Sequence, residues 1–426
     1  MLLIKKNTFF SIMLLVFLVL TTQSNMILQF ISIFTFGIIN LVMFGHKIRY
    51  SFRWVFYIGL IFLSLIQVSF FLIEDYSLNY IINTLISTAF LFFAFLCSEF
   101  IIKIINNLDK VFVKKVITNF FVLNSIIVLI QYILIAIEAN NIIPYASHKY
   151  SLGMSSGDYI KGFFSNSSVN MIICSFYTVY FFIEKKKIFF FISFLIVMLT
   201  TYMSGILLFL IAISLFVFFT FPIKTKIKAV LVIMFISYLF YIVSPENISY
   251  SLSILTEKTK SKSDPVRKFV SFNQTFNYWI KNPKNFIFGA GGGKFSSRTA
   301  FVTGGEYVNW YPKKYTYKSK EFNENHFLLW NKKILSIGYK DGTSNQPFSF
   351  YNKILGEYGL LGVFLFILYL YRPLKSYKKL TYGKIILLSM LFYFVLDYWF
   401  EYFSVIIFFE IFMYLDLKNE KDTIKQ

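Results

Sequence analysis

Crossing a lipid bilayer as a helix takes a run of about twenty apolar residues, and this chain repeats such runs almost from end to end. In the hydrocarbon core each backbone amide must be satisfied within the spanning structure, which leaves only helices or closed barrels. Runs of this length, without strand-like alternation, select the helix. They fall at 8–22, 26–44, 54–73, 80–102, 116–137, 167–183, 188–203, 205–221, 227–243, 351–371, 384–398 and 402–416. The sequence therefore predicts an all-α integral membrane protein with about twelve transmembrane helices and a large outward loop between the ninth and tenth. The breaks at 203/205 and 398/402 are the shallowest. The first run follows Lys5-Lys6 as a signal sequence would, but no small-residue cleavage pattern follows. It reads as a retained span.

The basic residues give the orientation. Lys5-Lys6, His46 to Arg53, Lys103 to Lys115, Lys185 to Lys187, Lys224 to Lys228, Arg372 to Lys384 and the tail after Leu417 alternate with short connections lacking Lys and Arg. Because Lys and Arg in short loops mark the cytoplasm, both termini of this multi-pass protein are expected there. The chain then divides into helices 1–9 over 1–243, with an outer loop at 138–166; a large outer loop over 244–350; helices 10–12 over 351–417; and a tail, 418–426. The net charge of +21 would also suit a nucleic-acid binder, but 57% hydrophobic residues in long runs exclude a soluble one. Cys97 and Cys174 sit in apolar runs, and His46, His148 and His326 have no metal-ligand spacing. No Walker loop or GxGxxG is present, so no cofactor and no metal is expected.

Chemistry is concentrated in the outward loops. Lys161 and Asn166 precede the sixth span, where Asn166 can cap the helix and the helix start favours an anion; an ordinary loop-to-helix junction fits equally. Arg267 and Arg298 stand out because Arg is scarce and lies here against the cytoplasmic bias. The planar fork of each suits phosphate oxygens, unless they pair with acids such as Asp264 or Glu306. Phe269 to Trp279 reads as an amphipathic helix in the membrane interface, stopped by Pro283. Gly289 to Gly293, including Gly291, allows close backbone approach to a substrate or to a neighbouring element. Trp310, Tyr311, Tyr315 and Tyr317 suit sugar stacking or a membrane-interface belt. Glu357 sits near the outer end of the tenth span, as a cavity carboxylate or as a first-turn acid favoured by the helix dipole. Asp397, Glu401 and Glu410 lie in or between the last two spans, and Glu410 should face protein rather than lipid.

Together these pieces resemble the Wzy/O-antigen ligase superfamily of bacterial polysaccharide assembly. Arg267, Trp279, Asn282-Pro283 and Phe288-Gly289-Ala-Gly291-Gly-Gly293 resemble its Arg…Trp…NP…GxGxG pattern. Gly162-Phe-Phe-Ser-Asn166-Ser-Ser resembles the motif before its sixth span. The closing motif is matched by Phe348-Ser-Phe-Tyr351-Asn-Lys-Ile-Leu-Gly-Glu357-Tyr-Gly-Leu-Leu-Gly362. Two departures stand out: the family's His aligns with Phe348, and the Arg of its SRSG motif is missing from Tyr202-Met203-Ser204-Gly205. His326, or Ser344-Asn345-Gln346, is a candidate substitute for the lost His.

The resemblance implies a GT-C-like polymerase architecture. It also implies an inverting, metal-independent glycosyltransferase that joins undecaprenyl-diphosphate-linked oligosaccharides into a surface polysaccharide (O-antigen, capsule or exopolysaccharide). On that reading Arg267, Arg298, Glu357 and His326 are catalytic, with the two arginines and Lys161 forming a pyrophosphate clamp. Lys161, Asn166, Trp279, Gly289, Gly291 and Tyr351 bind substrate. Expected partners are membrane lipid, a chain-length regulator and a flippase, with no nucleic acid. A ligase-like transferase and a polysaccharide flippase are the alternatives; the missing His speaks against the first, the absence of repeated halves against the second.

Overall fold

A computed structural model describes residues 2–44, 51–71, 77–143, 156–243, 265–335 and 346–423, and among them there is no strand. The twelve apolar stretches are helical over most of their described residues, but that at 188–203 breaks after Leu199 and that at 384–398 leaves the helix after Tyr393. Leu2–Thr22 (α1), Met26–Phe44 (α2), Phe52–Phe71 (α3), Leu78–Asn107 (α4) and Lys110–Glu138 (α5) come first. A single turn, Ser156–Tyr159 (α6), leads to Ser167–Ile183 (α7), Lys187–Leu199 (α8), Met203–Thr220 (α9) and Ile223–Val243 (α10). The long connection then forms Arg267–Ile280 (α11), Pro283–Phe288 (α12), Arg298–Thr303 (α13), Lys320–Glu324 (α14), His326–Leu329 (α15) and Lys332–Leu335 (α16). Phe350–Lys375 (α17), Gly383–Tyr393 (α18) and Phe403–Thr423 (α19) complete the chain.

Six helices among the described residues, α2, α3, α4, α5, α9 and α17, are long and apolar enough to cross a membrane. Four further apolar segments, in α1, α7, α8 and α18, are shorter. The chain is thus an all-helical membrane protein. Helix α19 is its axis. From Phe403 to Leu417 it is buried nearly all round, as expected of a helix that is apolar on every face, and α1, α4, α5, α7 and α18 pack against it. Helices α2, α3 and α5, by contrast, keep rows of exposed Ile, Leu and Phe.

Charge does enter this core, beneath Phe400, whose ring lies 5.1 Å from that of Tyr369. Arg53, counted in the sequence among the loop charges, is instead drawn into the bundle and ion-paired with Glu410 of α19. Its guanidinium lies 4.0 Å from the ring centre of Tyr414 and 5.5 Å from that of Tyr369. Glu410 also accepts hydrogen bonds from Tyr369 and Ser98. A buried carboxylate survives only when charge and hydrogen bonds both meet it, and here α3, α4, α17 and α19 supply them. Glu410 does face protein.

The long connection packs against α17. Arg267, Lys268, Ser271 and Thr275 form the buried face of α11. Asn282 caps α12, with Pro283 in its first turn, and Ser297 caps α13. Helix α17 is not continuous: Gly359, at φ 58° and ψ −150°, separates its first turns from the span proper. The sequence stretches 244–264 and 336–345, with Asp264, Ser344 and Asn345, lie outside the described residues, as do His46 and His148.

Candidate functional site

Where the long connection meets the bundle, side chains from α11, α13, α17 and the 394–402 turn form one buried polar centre. Its cations are Lys268, Arg298 and Lys353; its acids are Asp397 and Glu401. Lys353 and Glu401 are ion-paired. The other oxygen of Glu401 accepts the backbone N–H of Arg298 at 2.8 Å, fixing the first turn of α13. The Arg298 guanidinium lies 4.7 Å from the ring centre of Tyr402. Lys268 donates to the carbonyls of Phe348 and Leu396. Burial pulls its ammonium down to about 7, with the nearby Asp397 carboxylate working in the opposite sense. Asp397 accepts from the Tyr398 amide at 2.6 Å and from the Tyr402 hydroxyl at 3.3 Å.

Two arginines at this end of the bundle are left with donors to offer. Arg267 heads α11 next to Lys268, and one terminal guanidinium nitrogen is buried with no hydrogen-bond partner among the described residues. Nε of Arg298 is in the same condition. Such a donor can be met by water, by an ion or by a substrate, and the planar guanidinium suits an anion.

Glu357 is engaged differently from a cavity carboxylate. One oxygen accepts the amide of Gly293 at 2.9 Å, and the other those of Phe295 and Ser296 at 3.2 and 3.1 Å. The glycine-rich turn closes on the same segment: Ala290 and Gly291 donate to the carbonyls of Gly356 and Glu357 at 2.8 and 3.0 Å. Gly289 has φ +73°, and a Cβ there would stand 2.5 Å from the Glu357 carbonyl carbon. A Cβ on Gly359 would likewise stand 2.7 Å from the backbone of Ile287. Gln67 and Asn83, from α3 and α4, hold the turn through the carbonyls of Phe288 and Gly293. Of the two partners the sequence allowed for Gly289 and Gly291, the chain itself is the one in place.

We expect Glu357→Ala to unfold this junction. Each of three buried amides would lose its acceptor, at about 1–3 kcal/mol apiece, against a total stability of about 5–15 kcal/mol. Glu357→Gln should fall between, since an amide keeps one oxygen and turns a donor on the other group of N–H bonds. Melting of the purified variants in detergent checks this; an Ala variant as stable as the parent would remove Glu357 from this role.

His326 is wholly buried. Its Nε2 lies 3.1 Å from both the Thr275 hydroxyl and the Ser271 carbonyl. The carbonyl can only accept, so Nε2 carries the proton and Nδ1 is the bare nitrogen. Burial lowers its pKa to about 3, opposed by the bond to Ser271 and reinforced by Lys268. His326 is therefore neutral at pH 7 and a weak base.

The remaining sequence candidates are distributed as follows. Trp279 stacks on Phe286 with ring centres 4.7 Å apart and donates to its carbonyl at 2.8 Å, closing the α11–α12 corner. Tyr351 donates to the Leu391 carbonyl at 2.8 Å, tying α17 to α18. Asn166 does cap α7, accepting from Val169 at 2.8 Å. The strand of loop before it is clamped by Asn124, Gln131 and Asn170. Lys161 is half-buried there. Glu306 pairs with Lys318 rather than with either arginine. Phe348, at the position of the family's His, packs against Phe301, Tyr307, Trp330 and Tyr398.

Lys268 and Lys353 escape a residue-by-residue reading, while Asp397 and Glu401 stand out only by their place between the last two spans. The signal for Lys268 is only its place beside Arg267 in a helix whose exposed face is apolar. Lys353 and Glu401 lie 48 residues apart, so no spacing links them. No protein-family model, curated protein or solved structure matches the chain.

Proposed function

We propose that this chain is an integral membrane glycosyltransferase of twelve spans, both termini cytoplasmic, that polymerises oligosaccharide repeat units carried on undecaprenyl diphosphate at the outer face of the cytoplasmic membrane. The observation that carries the proposal is that two guanidinium groups where the long connection meets the bundle, buried Arg267 and half-buried Arg298, each keep one nitrogen without a hydrogen-bond partner among the described residues. A diphosphate is the anion a lipid-linked sugar brings, and Arg binds it through two parallel bonds. The family resemblance set out above supplies the sugar chemistry.

In the proposed reaction an acceptor hydroxyl oxygen attacks the anomeric carbon of the donor sugar. The bond from that carbon to the diphosphate oxygen breaks, and undecaprenyl diphosphate leaves with the electron pair. Negative charge grows on the leaving group, so cations fixed beforehand do much of the work. Arg267 and Arg298 take that role, with Lys161 as a third candidate. The hydroxyl proton must pass to a group within hydrogen-bond reach. Glu357 already accepts three amides and His326 is a weak base, which leaves Asp397, beside Lys268 and Arg298, as the better-placed acceptor.

Deleting the gene and sizing lipid-linked and surface glycans on a gel tests the proposal. The expected result is a ladder collapsed to single repeat units. Full-length polymer held on undecaprenyl diphosphate would identify a ligase. Repeat units trapped on the cytoplasmic face would identify a flippase, and either outcome overturns the polymerase reading.

A further inference from the structure

The outward face of α11 is apolar although the helix lies outside the spans. Its exposed residues are Phe269, Asn273, Phe276, Asn277 and Ile280, three large apolar side chains with two amides. The three apolar side chains are 61%, 52% and 53% exposed. Phe286 and Ile287 of α12 are exposed as well. Contiguous apolar surface of this kind marks a place where protein or membrane docks.

Continuity decides the occupant. Helix α12 sits directly on the break in α17, with the Ile287 backbone against Gly359. The next residue, Leu360, begins the outward row Leu360, Phe364 and Ile367, all exposed on a membrane-spanning helix. The apolar face of the α11–α12 hairpin therefore runs into the lipid-facing row of a span. Exposed Lys281 and Lys284 stand at the hairpin corner, suited to lipid phosphates, and Trp279 beside them is of a type enriched at membrane–water interfaces.

We infer that the α11–α12 hairpin docks by Phe269, Phe276, Ile280, Phe286 and Ile287 into the bilayer surface beside α17. The inference is independent of the transferase reading. The opposite face of the same helix carries Arg267 and Lys268, so the docked hairpin holds the polar centre at the level of the lipid headgroups.

Nitroxide labels report this directly. Single cysteines are placed at Phe276, Ile280 and Phe286, with Phe364 as the lipid-facing reference and Asn323 of α14, which is exposed, as the aqueous one. Cys97 and Cys174 are buried and are replaced by Ala as a precaution. The full chain is reconstituted in lipid nanodiscs, and collisions with oxygen and with a water-soluble nickel chelate are measured. The ratio of oxygen to nickel accessibility at 276, 280 and 286 should match that at 364 and exceed that at 323 several-fold. A ratio like that of 323 would place the face in water, and shielding from both reagents would mean a protein partner or a second copy covers it. Either result overturns the proposal. Because the labelled positions are surface residues on two helices, loss of one variant leaves the others to decide.

Discussion

Cells whose only copy carries Arg267→Ala should accumulate single repeat units, with polymer reduced about 10²–10³-fold, the loss typical when one preorganised donor to a developing negative charge is removed. The variant should still insert in the membrane at normal abundance. One terminal nitrogen of Arg267 has no partner among the described residues, so its removal breaks no described bond there. Arg267→Lys should recover little, because an ammonium cannot bind a diphosphate through two parallel bonds. Arg298→Ala is a less clean probe. It also removes the stacking of the guanidinium on Tyr402, so part of any loss would come from the fold. Normal polymer length from inserted Arg267→Ala would end the diphosphate assignment.

The second large effect is on stability. Glu410→Gln leaves the Arg53 guanidinium buried without a counter-charge, which costs about 3–5 kcal/mol when one member of a buried pair is lost. The double change Arg53→Met with Glu410→Leu should regain most of that, since apolar side chains of similar volume often replace a buried pair at little or no cost. Melting in detergent distinguishes them: a large drop for the single variant, a small one for the double. Equal drops would mean that the aromatic rings of Tyr369 and Tyr414, rather than the charge pair, dominate the site. The cluster adjoins the polar centre, since the ring of Tyr369, whose hydroxyl donates to Glu410, lies 5.1 Å from that of Phe400, the neighbour of Glu401, so glycan length is to be compared only between variants with equal melting.

The helices were legible in the sequence because the bilayer imposes a length on them, although the stretch at 384–398 stops being helical after Tyr393. Their burial was legible only where an acid marked it, as Glu410 does on α19. Run length by itself says nothing about which helix lipid surrounds. The amphipathic reading of α11 rested on periodicity, and that pattern is local. Asn166 as a cap was legible for the same reason. Glu357 defeated the reading because the amides it accepts belong to residues 293–296, over sixty positions earlier. Lys268 and Lys353 were hidden by composition: in a chain with 42 Lys and Arg, nothing in a lysine's immediate neighbours tells a buried ammonium from a solvated one. Phe348 looked like a loss of function at the aligned His, whereas in the structure it fills an aromatic nest.

The grip of Glu357 on the 289–296 turn also fixes an order of assembly during synthesis. The turn is made early and draws on Gln67 and Asn83 from helices that precede it in the chain. Its amides at 293, 295 and 296 nevertheless have no carboxylate until the ribosome has added residue 357. The connection thus cannot finish folding until the first turns of α17 have been made. A nascent chain arrested before α17 emerges should expose this turn to protease, and release past it should close the window.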